Sequence, residues 1–319
     1  MIAQYDVGTL ISSAEIAEGV SNSNWLLQTT GSLHGSRFIL TLYERRIKVG
    51  DLPFFLALLD HLAAKGCPVP RTIRTRSGDP FVTLHGKPAA LIECMPGQAV
   101  TEPTAVQAQN VGRALAQMHL EAADFPRQRK QALGLDAWRS LIERTGGAEL
   151  ARIDAALPAL LKEELRFLEK SWPPDLPRAV VHCDLFPDNV LMLDDRVSGL
   201  IDFYFSATDF LAYDLAVTHA AWCFAPDGME YRPHLSAALL QGYEALRPLA
   251  LPERAALPVL ARGAAMRFIS SRAFDWVDTP PGANVRRKDP MEFVHRLRFY
   301  QRHGASIFTS GCGSAKVGT

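Results

Sequence analysis

The first 95 positions combine short apolar runs with breaks that contain Gly and Pro. The runs NWLLQTT (24–30) and RFILTLYE (37–44) predict two strands joined by the turn GSLHGS, and AALIECMPG (89–97) predicts another strand. Between them, GDLPFFLALLDHLAAKG predicts a helix with Asp51 as its cap, Pro53 in its first turn and Gly66 at its end. We therefore expect residues 1–95 to form a small antiparallel β lobe.

Beyond residue 95 the apolar positions recur at helical spacing. In PTAVQAQNVGRALAQMHLEA, Val111, Leu115, Met118 and Ala122 fall on one face of a helix. Further helical patterns cover residues 135–170, 208–223, 234–247, 253–277 and 290–302. The expected fold class is α+β with two lobes: the β-rich lobe, then a larger and mainly helical lobe over residues 96–310, followed by a flexible tail at 311–319.

One β-hairpin interrupts the helical part and carries the candidate chemistry. VLML (190–193) and VSGLIDF (197–203) are two apolar strands joined by the turn DDR. Because the strands are antiparallel, Asn189, before the first strand, and Asp202, near the end of the second, lie at the same end of the hairpin. Asp184 lies on the loop that enters this end. Oxygen ligands of this kind suit Mg²⁺, and a nearby carboxylate can accept a proton, which is the layout for phosphoryl transfer to an alcohol.

Composition narrows the class of protein. The chain has 319 residues, of which 48% are hydrophobic, and 34 Lys and Arg balance 34 Asp and Glu, so no basic excess supports a nucleic-acid partner. The five cysteines are scattered, which favours reduced thiols and a cytoplasmic location. We see no apolar run of membrane-spanning length. The sequence leaves the oligomeric state open.

The strings HCDLFPDN and LIDFYFSATDFLAYDLA resemble the aminoglycoside phosphotransferase and choline kinase superfamily, which is related to the protein kinases. Within it, the chain is similar to the homoserine kinases of bacterial threonine biosynthesis. The Asp-Asn-Asp motif is specific to the superfamily, whereas the narrower resemblance rests on softer strings such as IDFYF and DFLAYD. The likeness runs nearly end to end.

This resemblance implies a bilobal protein-kinase-like fold that uses ATP and Mg²⁺ to phosphorylate L-homoserine. It implies that Asp184 is the catalytic base, that Asn189 and Asp202 bind Mg²⁺, and that Asp214 braces the catalytic loop. We expect His182 to brace the same loop. The expected nucleotide-binding residues are Gly19, Val20, Ser21, Asn22, Ser23 and Asn24 in a turn, with Glu93 and Met95 acting through their main chains.

The chain departs from the superfamily pattern where a phosphate-binding Lys is usual. The matching position is Thr41, and a hydroxyl cannot neutralise phosphate charge as an ammonium does. Two readings of the basic residues beyond this strand stay open, a phosphate contact or a solvated edge; these residues are Arg45, Arg46 and Lys48. The helix that usually supplies an acidic partner offers Asp51 and Asp60.

The acceptor site is less sharply defined. A zwitterion needs a cation for its carboxylate and an acid for its ammonium. The candidates are Tyr204, Asp209, Arg267, Arg272 and Asp275. Arg272 and Asp275 are three apart on a helix, so they grip a zwitterion or form an intrahelical salt bridge. Two alternatives remain: a kinase of the same fold acting on choline, an aminoglycoside, a hydroxylated amino acid or a thiosugar, and a weak nucleotide-binding regulator without the usual Lys.

Overall fold

The structure is a computed structural model that describes residues 1–16, 22–33, 35–44, 48–279 and 287–309. The strands of the N-terminal part are β1 (Leu10–Ile16), β2 (Asn22–Ser32), β3 (Gly35–Tyr43), β4 (Thr72–Ile73), β5 (Val82–Leu84) and β6 (Lys87–Glu93). They form an antiparallel sheet in the order β1-β2-β3-β6-β4, with β5 also paired to β6. This confirms the three strands predicted in this region.

Helix α1 (Leu52–Ala64) interrupts the sheet where the sequence predicts it, with Pro53 in its first turn and Gly66 after its end. The predicted cap is wrong in one respect, because the Asp51 side chain makes no capping hydrogen bond. Its carboxylate instead accepts hydrogen bonds of 3.0 and 2.9 Å from Arg129, on the loop that follows the next helix. That guanidinium is 78 positions away in sequence, so the local pattern could not reveal it.

The C-terminal part is mainly helical. Its helices are α2 (Ala105–Glu121), α3 (Leu135–Thr145), α4 (Gly147–Ile153), α5 (Leu157–Ser171), α6 (Leu211–Trp222), α7 (Pro233–Glu244), α8 (Leu251–Asp278) and α9 (Met291–Thr309). Its strands are β7 (Gln98–Ala99), β8 (Arg178–Val181), β9 (Val190–Leu193), β10 (Arg196–Leu200) and β11 (Ala207–Phe210). The result is the α+β, bilobal, protein-kinase-like fold that the sequence predicts. Within the described ranges no helix is both long and apolar enough to cross a membrane.

The sequence predicts a single hairpin in this lobe, and the structure contains that hairpin together with three more short strands. Strands β9 and β10 pair as predicted, but β7 adds to β9, and β11 pairs with β8. Residues 207–210 are therefore a strand, although the helical pattern began at 208. The ladder pairs Ala207 with Val181 and Phe210 with Arg178, partners that lie far apart in sequence.

Two hydrophobic cores divide the molecule unequally. The smaller lies in the sheet around Leu27, Phe38 and Leu91, whereas the larger runs through the helical lobe. Helix α1 packs in the larger core through residues such as Phe55 and Leu59. Although α1 precedes residue 95, its buried face belongs to the core of the helical lobe.

Candidate active site

The hairpin brings the two predicted metal ligands to one end. Val190 of β9 pairs with Leu200 of β10, and the Ile201 N–H donates to the Asn189 carbonyl at 3.0 Å. Asn189 thus ends a short turn of 3-10 helix just before β9, and Asp202 lies two residues after the end of β10. Asp202 has a left-handed backbone, with φ of +63°, which turns the chain sharply at this point.

Asp184 lies beside this end of the hairpin. The Asn189 side-chain amide donates to the Asp184 carbonyl at 2.7 Å and lies 3.4 Å from its Oδ2. Burial raises the pKa of the Asp184 carboxyl, and the positive charge of Arg267 offsets part of that rise. The loop and the hairpin therefore place Asp184 and Asn189 in direct contact.

Asp202 interacts with two other acidic side chains, Asp184 and Asp188. Water reaches its side chain, yet the surrounding protein, followed by the charges of Asp184 and Asp188, raises its pKa to about 7. Like charges this close favour protonation unless a cation joins them. Asp188, which sequence reasoning missed, immediately precedes Asn189 in the motif.

Asp214 holds the loop at residues 182–189, which the sequence predicts to be the catalytic loop. Its buried carboxylate accepts hydrogen bonds from the backbone N–H groups of His182 and Cys183, each at 2.7 Å, and from His119 Nε2 at 3.0 Å. His119 continues to the Tyr243 hydroxyl at 2.8 Å. The sequence analysis missed His119, although a His on an otherwise apolar helix face was a visible signal for a buried hydrogen-bonded group.

His182 fixes the same loop with its ring. The Asp184 N–H donates to His182 Nδ1 at 3.2 Å, so Nε2 carries the hydrogen and donates to the Ile201 carbonyl at 2.9 Å. Burial lowers the pKa of His182, which keeps the imidazole neutral. The ring connects the catalytic loop to the strand end that leads into Asp202.

Arg267 of α8 lies against the catalytic loop and is 1% exposed. One of its terminal nitrogens donates to the Cys183 carbonyl, and the other lies 3.5 Å from Asp184 Oδ1. The guanidinium also stacks near the rings of Phe205 and Phe268. We expected Arg267 to bind the acceptor, but the structure places its guanidinium against Asp184 and in the protein interior.

The remaining acceptor candidates are engaged with separate partners. Arg272 pairs with Glu292 of α9 at 2.5 Å. Asp209 is buried and accepts a hydrogen bond from Gln131 at 3.2 Å. The structure therefore does not assemble the predicted set into one pocket.

Tyr204 faces the N-terminal sheet. Its hydroxyl lies 3.0 Å from the Tyr43 hydroxyl and close to the Thr41 hydroxyl. Thr41, in the position where the superfamily usually has Lys, is 2% exposed and donates to Asn24 Oδ1 at 2.8 Å. A network of neutral hydroxyl and amide groups thus occupies the place of a charged pair, and Tyr204 belongs to it.

Asp51 and Asp60, the acidic residues that could pair with a Lys at position 41, each bind an arginine instead. Asp51 binds Arg129, as described above, and Asp60 binds Arg74 at 2.6 Å. Lys48 is exposed before α1. Arg45 and Arg46 lie outside the described residues, so both readings of this basic edge stay predictions.

The nucleotide-binding prediction falls partly within the described chain. Gly19, Val20 and Ser21 lie outside the described residues. Asn22, Ser23 and Asn24 begin β2, and the Ser23 hydroxyl donates to Glu44 at 3.1 Å. At the end of β6, the Glu93 N–H already donates to the Arg71 carbonyl at 2.9 Å, and Met95 follows on the segment that links the lobes.

The fold and this site define a phosphotransferase of protein-kinase-like architecture. The model of the phosphotransferase enzyme family matches residues 13–249. A homoserine kinase of Xanthobacter autotrophicus is 50% identical over 303 residues, which cover 94% of this chain and 92% of the relative. A homoserine kinase of Brucella anthropi is 50% identical over 304 residues, which cover 94% and 90%.

The chain therefore belongs to the phosphotransferase enzyme family. A spectinomycin phosphotransferase solved in complex with ADP and spectinomycin superposes with a TM-score of 0.71 at 14% identity, covering 95% of this chain and 96% of that one. At this identity the superposition shows the fold. The resemblance that the motifs indicated is confirmed.

Proposed function

We propose that this protein transfers the γ-phosphoryl group of ATP to the hydroxyl of L-homoserine, with Mg²⁺, to form O-phospho-L-homoserine for threonine biosynthesis. The observation that carries the proposal is the contact of Asp184 and Asn189 beside Asp202, in a chain 50% identical to homoserine kinases over 94% of its length. The substrate is a small molecule, and the cytoplasm is the location we propose.

Asp184 is the base in this proposal. As the acceptor oxygen attacks the γ-phosphorus, the bond from that phosphorus to the bridging oxygen breaks, ADP leaves, and the hydroxyl proton passes to Asp184. We assign the transfer to Oδ2, because Oδ1 faces the charged Arg267 guanidinium at 3.5 Å, whereas Oδ2 has a contact of 3.4 Å with the uncharged Asn189 amide. Asn189 and Asp214 hold the loop so that the carboxylate is positioned before the acceptor arrives.

Asp202 and Asn189 fit a Mg²⁺ ion bound together with nucleotide phosphates. Within the described ranges no three His, Cys, Asp or Glu side chains converge as a complete metal cage. Mg²⁺ commonly takes one or two carboxylates and completes its shell with phosphate and water oxygens. When bound, it would neutralise charge on the phosphates. Burial, followed by the charges of Asp184 and Asp188, raises the pKa of Asp202, and a bound cation would favour its ionised form.

We propose that the nucleotide lies between the lobes, against residues 19–24 and the main chain of Glu93 and Met95. The Glu93 N–H is engaged with Arg71, so the bond to adenine falls to other main-chain groups of this segment. Phosphate charge is met by Mg²⁺ and backbone N–H groups, since Thr41 is buried and bonded to Asn24.

The test is a phosphorylation assay over a panel of acceptors, read by ADP release and by ³¹P NMR of the product. L-homoserine should far exceed 3-aminopropan-1-ol, 4-hydroxybutyrate, L-serine and choline, because a site built for both charged groups rejects analogues that leave them unpaired. Asp184→Asn should retain its fold and ATP binding but lose about a hundredfold or more in kcat. Equal turnover of homoserine and choline or aminopropanol would overturn the homoserine assignment.

A further inference from the structure

The acceptor must reach Asp184 with its hydroxyl while its ammonium and carboxylate find opposite charges. In homoserine two methylene groups separate the hydroxyl oxygen from Cα, so the recognising charges must lie near Asp184. Besides Asp202, the proposed metal ligand, four charged or titratable side chains act electrostatically on Asp184, namely Arg267, His182, Lys288 and Asp188. They are the natural set in which to look for the zwitterion's partners.

Two of the four are closed to a ligand. Arg267 is 1% exposed and holds the Cys183 carbonyl, and His182 is fully buried with both ring nitrogens engaged. Lys288 and Asp188 differ, since their side chains are 51% and 64% exposed. They form one accessible cation and one accessible anion beside the base.

These two side chains face each other across the catalytic loop. Lys288 Nζ lies 3.5 Å from Asp188 Oδ2 and 5.7 Å from the ring centre of Phe186. Asp188 and Phe186 both belong to the segment between Asp184 and Asn189. Asp188 is thus part of the loop that carries the base, and Lys288 lies against that loop.

The chain beneath Lys288 is firmly supported. Arg272, 8% exposed, donates to the Asp289 carbonyl at 3.0 Å and pairs with Glu292 at 2.5 Å. Asp289 in turn accepts a hydrogen bond from the Met291 N–H at 2.8 Å, at the start of α9. Arg272 therefore acts on the acceptor side by fixing the segment that presents Lys288.

We propose that Asp188 and Lys288 recognise a zwitterionic amino alcohol, Asp188 binding its ammonium and Lys288 its carboxylate. This inference rests on the proposed function and names the residues that would determine its specificity. An exposed ion pair contributes little to stability, so a ligand can replace it at low cost. Inserting the zwitterion exchanges one ion pair for two charge-assisted contacts.

The experiment compares kcat/KM for L-homoserine, 3-aminopropan-1-ol and 4-hydroxybutyrate in Lys288→Met and Asp188→Asn. Lys288→Met should lower kcat/KM for homoserine about 10- to 100-fold, through KM, and leave aminopropanol, which lacks the carboxylate, nearly unchanged. Asp188→Asn should also lower kcat/KM for homoserine about 10- to 100-fold, and should leave kcat/KM for 4-hydroxybutyrate, which lacks the amine, nearly unchanged. The KM for ATP should stay constant in both.

Arg152→Met and Glu149→Gln are the matched controls, because they break another exposed pair, 2.5 Å long, on α4. They should leave all three acceptors unaffected. If each site variant lowers kcat/KM equally for all three acceptors, or raises the KM for ATP instead, the assignment of Asp188 and Lys288 is wrong. If the unmodified protein does not prefer homoserine to either analogue, the proposed function itself fails, so the two failures are distinct.

Discussion

Asp214→Asn tests how the interior of the helical lobe holds the catalytic loop. The Asp214 carboxylate is fully buried. Its Oδ2 accepts from the His182 N–H at 2.7 Å and from His119 at 3.0 Å, and its Oδ1 accepts from the Cys183 N–H at 2.7 Å. Every donor lies inside the protein, where water cannot replace a missing acceptor.

An asparagine retains one acceptor oxygen. With that oxygen in place of Oδ2, the new amide N–H₂ faces the Cys183 N–H, and in the reverse orientation it faces both other donors. A hydrogen bond to a charged group contributes about 1.5–3 kcal/mol, and a buried unsatisfied donor costs about 1–3 kcal/mol. We therefore expect a loss of about 3–5 kcal/mol, which is a large share of the stability of an ordinary domain.

Urea unfolding followed by circular dichroism measures this loss, and kcat is measured on the folded variant. We expect a lower midpoint at unchanged slope, together with a reduced kcat, because the loop that carries Asp184 loses its anchor. Asp175→Asn, on the exposed segment before β8, is the control and should change neither quantity. A loss below about 1 kcal/mol with normal kcat would refute the view that Asp214 holds the loop.

Three further changes test the packing, the acid stability and the role of Arg267. Gly112→Ala should lower the free energy of unfolding in urea by about 1–3 kcal/mol, since its Cβ would lie 2.1 Å from the Leu239 carbonyl oxygen. The control Gly147→Ala, whose Cβ would have nothing within 4 Å, should be neutral or stabilising. Equal stability of the two variants would contradict the close crossing of α2 and α7. Burial lowers the pKa of His219 to about 3, so the neutral ring contributes stability that is complete above pH 6.5 and is lost as pH falls towards 3. Between pH 7 and pH 5 the free energy of unfolding should therefore fall by about 2 kcal/mol more in the wild type than in His219→Gln. Parallel pH profiles of the two proteins would contradict this. Arg267→Met should lower kcat about tenfold or more at unchanged KM for homoserine, whereas a raised KM with normal kcat would show that the guanidinium binds the acceptor.

The site core was predictable because it is local. Asp184, Asn189 and Asp202 span 19 residues of sequence, and the pairing of two adjacent strands is enough to bring the last two together. The apolar runs, the turn and the polar residues at their ends all indicate the same geometry. Sequence reasoning succeeds where the partners lie within one hairpin and its entry loop.

Long-range partners explain what the local pattern did not show. Besides Asp275 three positions away, Arg272 has Glu292, which helix α9 brings to 2.5 Å. Residues 207–210 carry a helical pattern, yet β8 offers them a ladder. In each case a partner distant in sequence forms the contact. A single sequence does not indicate which distant residues come close together in the fold.

The neutral hydrogen-bonding network at Thr41 also depends on ion pairs between residues that are distant in sequence. A Lys in this buried position would need an acid to balance its charge, because an unpaired ammonium in the interior costs several kcal/mol. The two carboxylates that α1 and its cap could offer are already bound, Asp51 by Arg129 and Asp60 by Arg74. Neutral partners then suit the site, and Asn24 and Tyr204 supply them. Since Tyr204 lies two residues after Asp202, the network connects the N-terminal sheet directly to the segment that carries the proposed metal ligand.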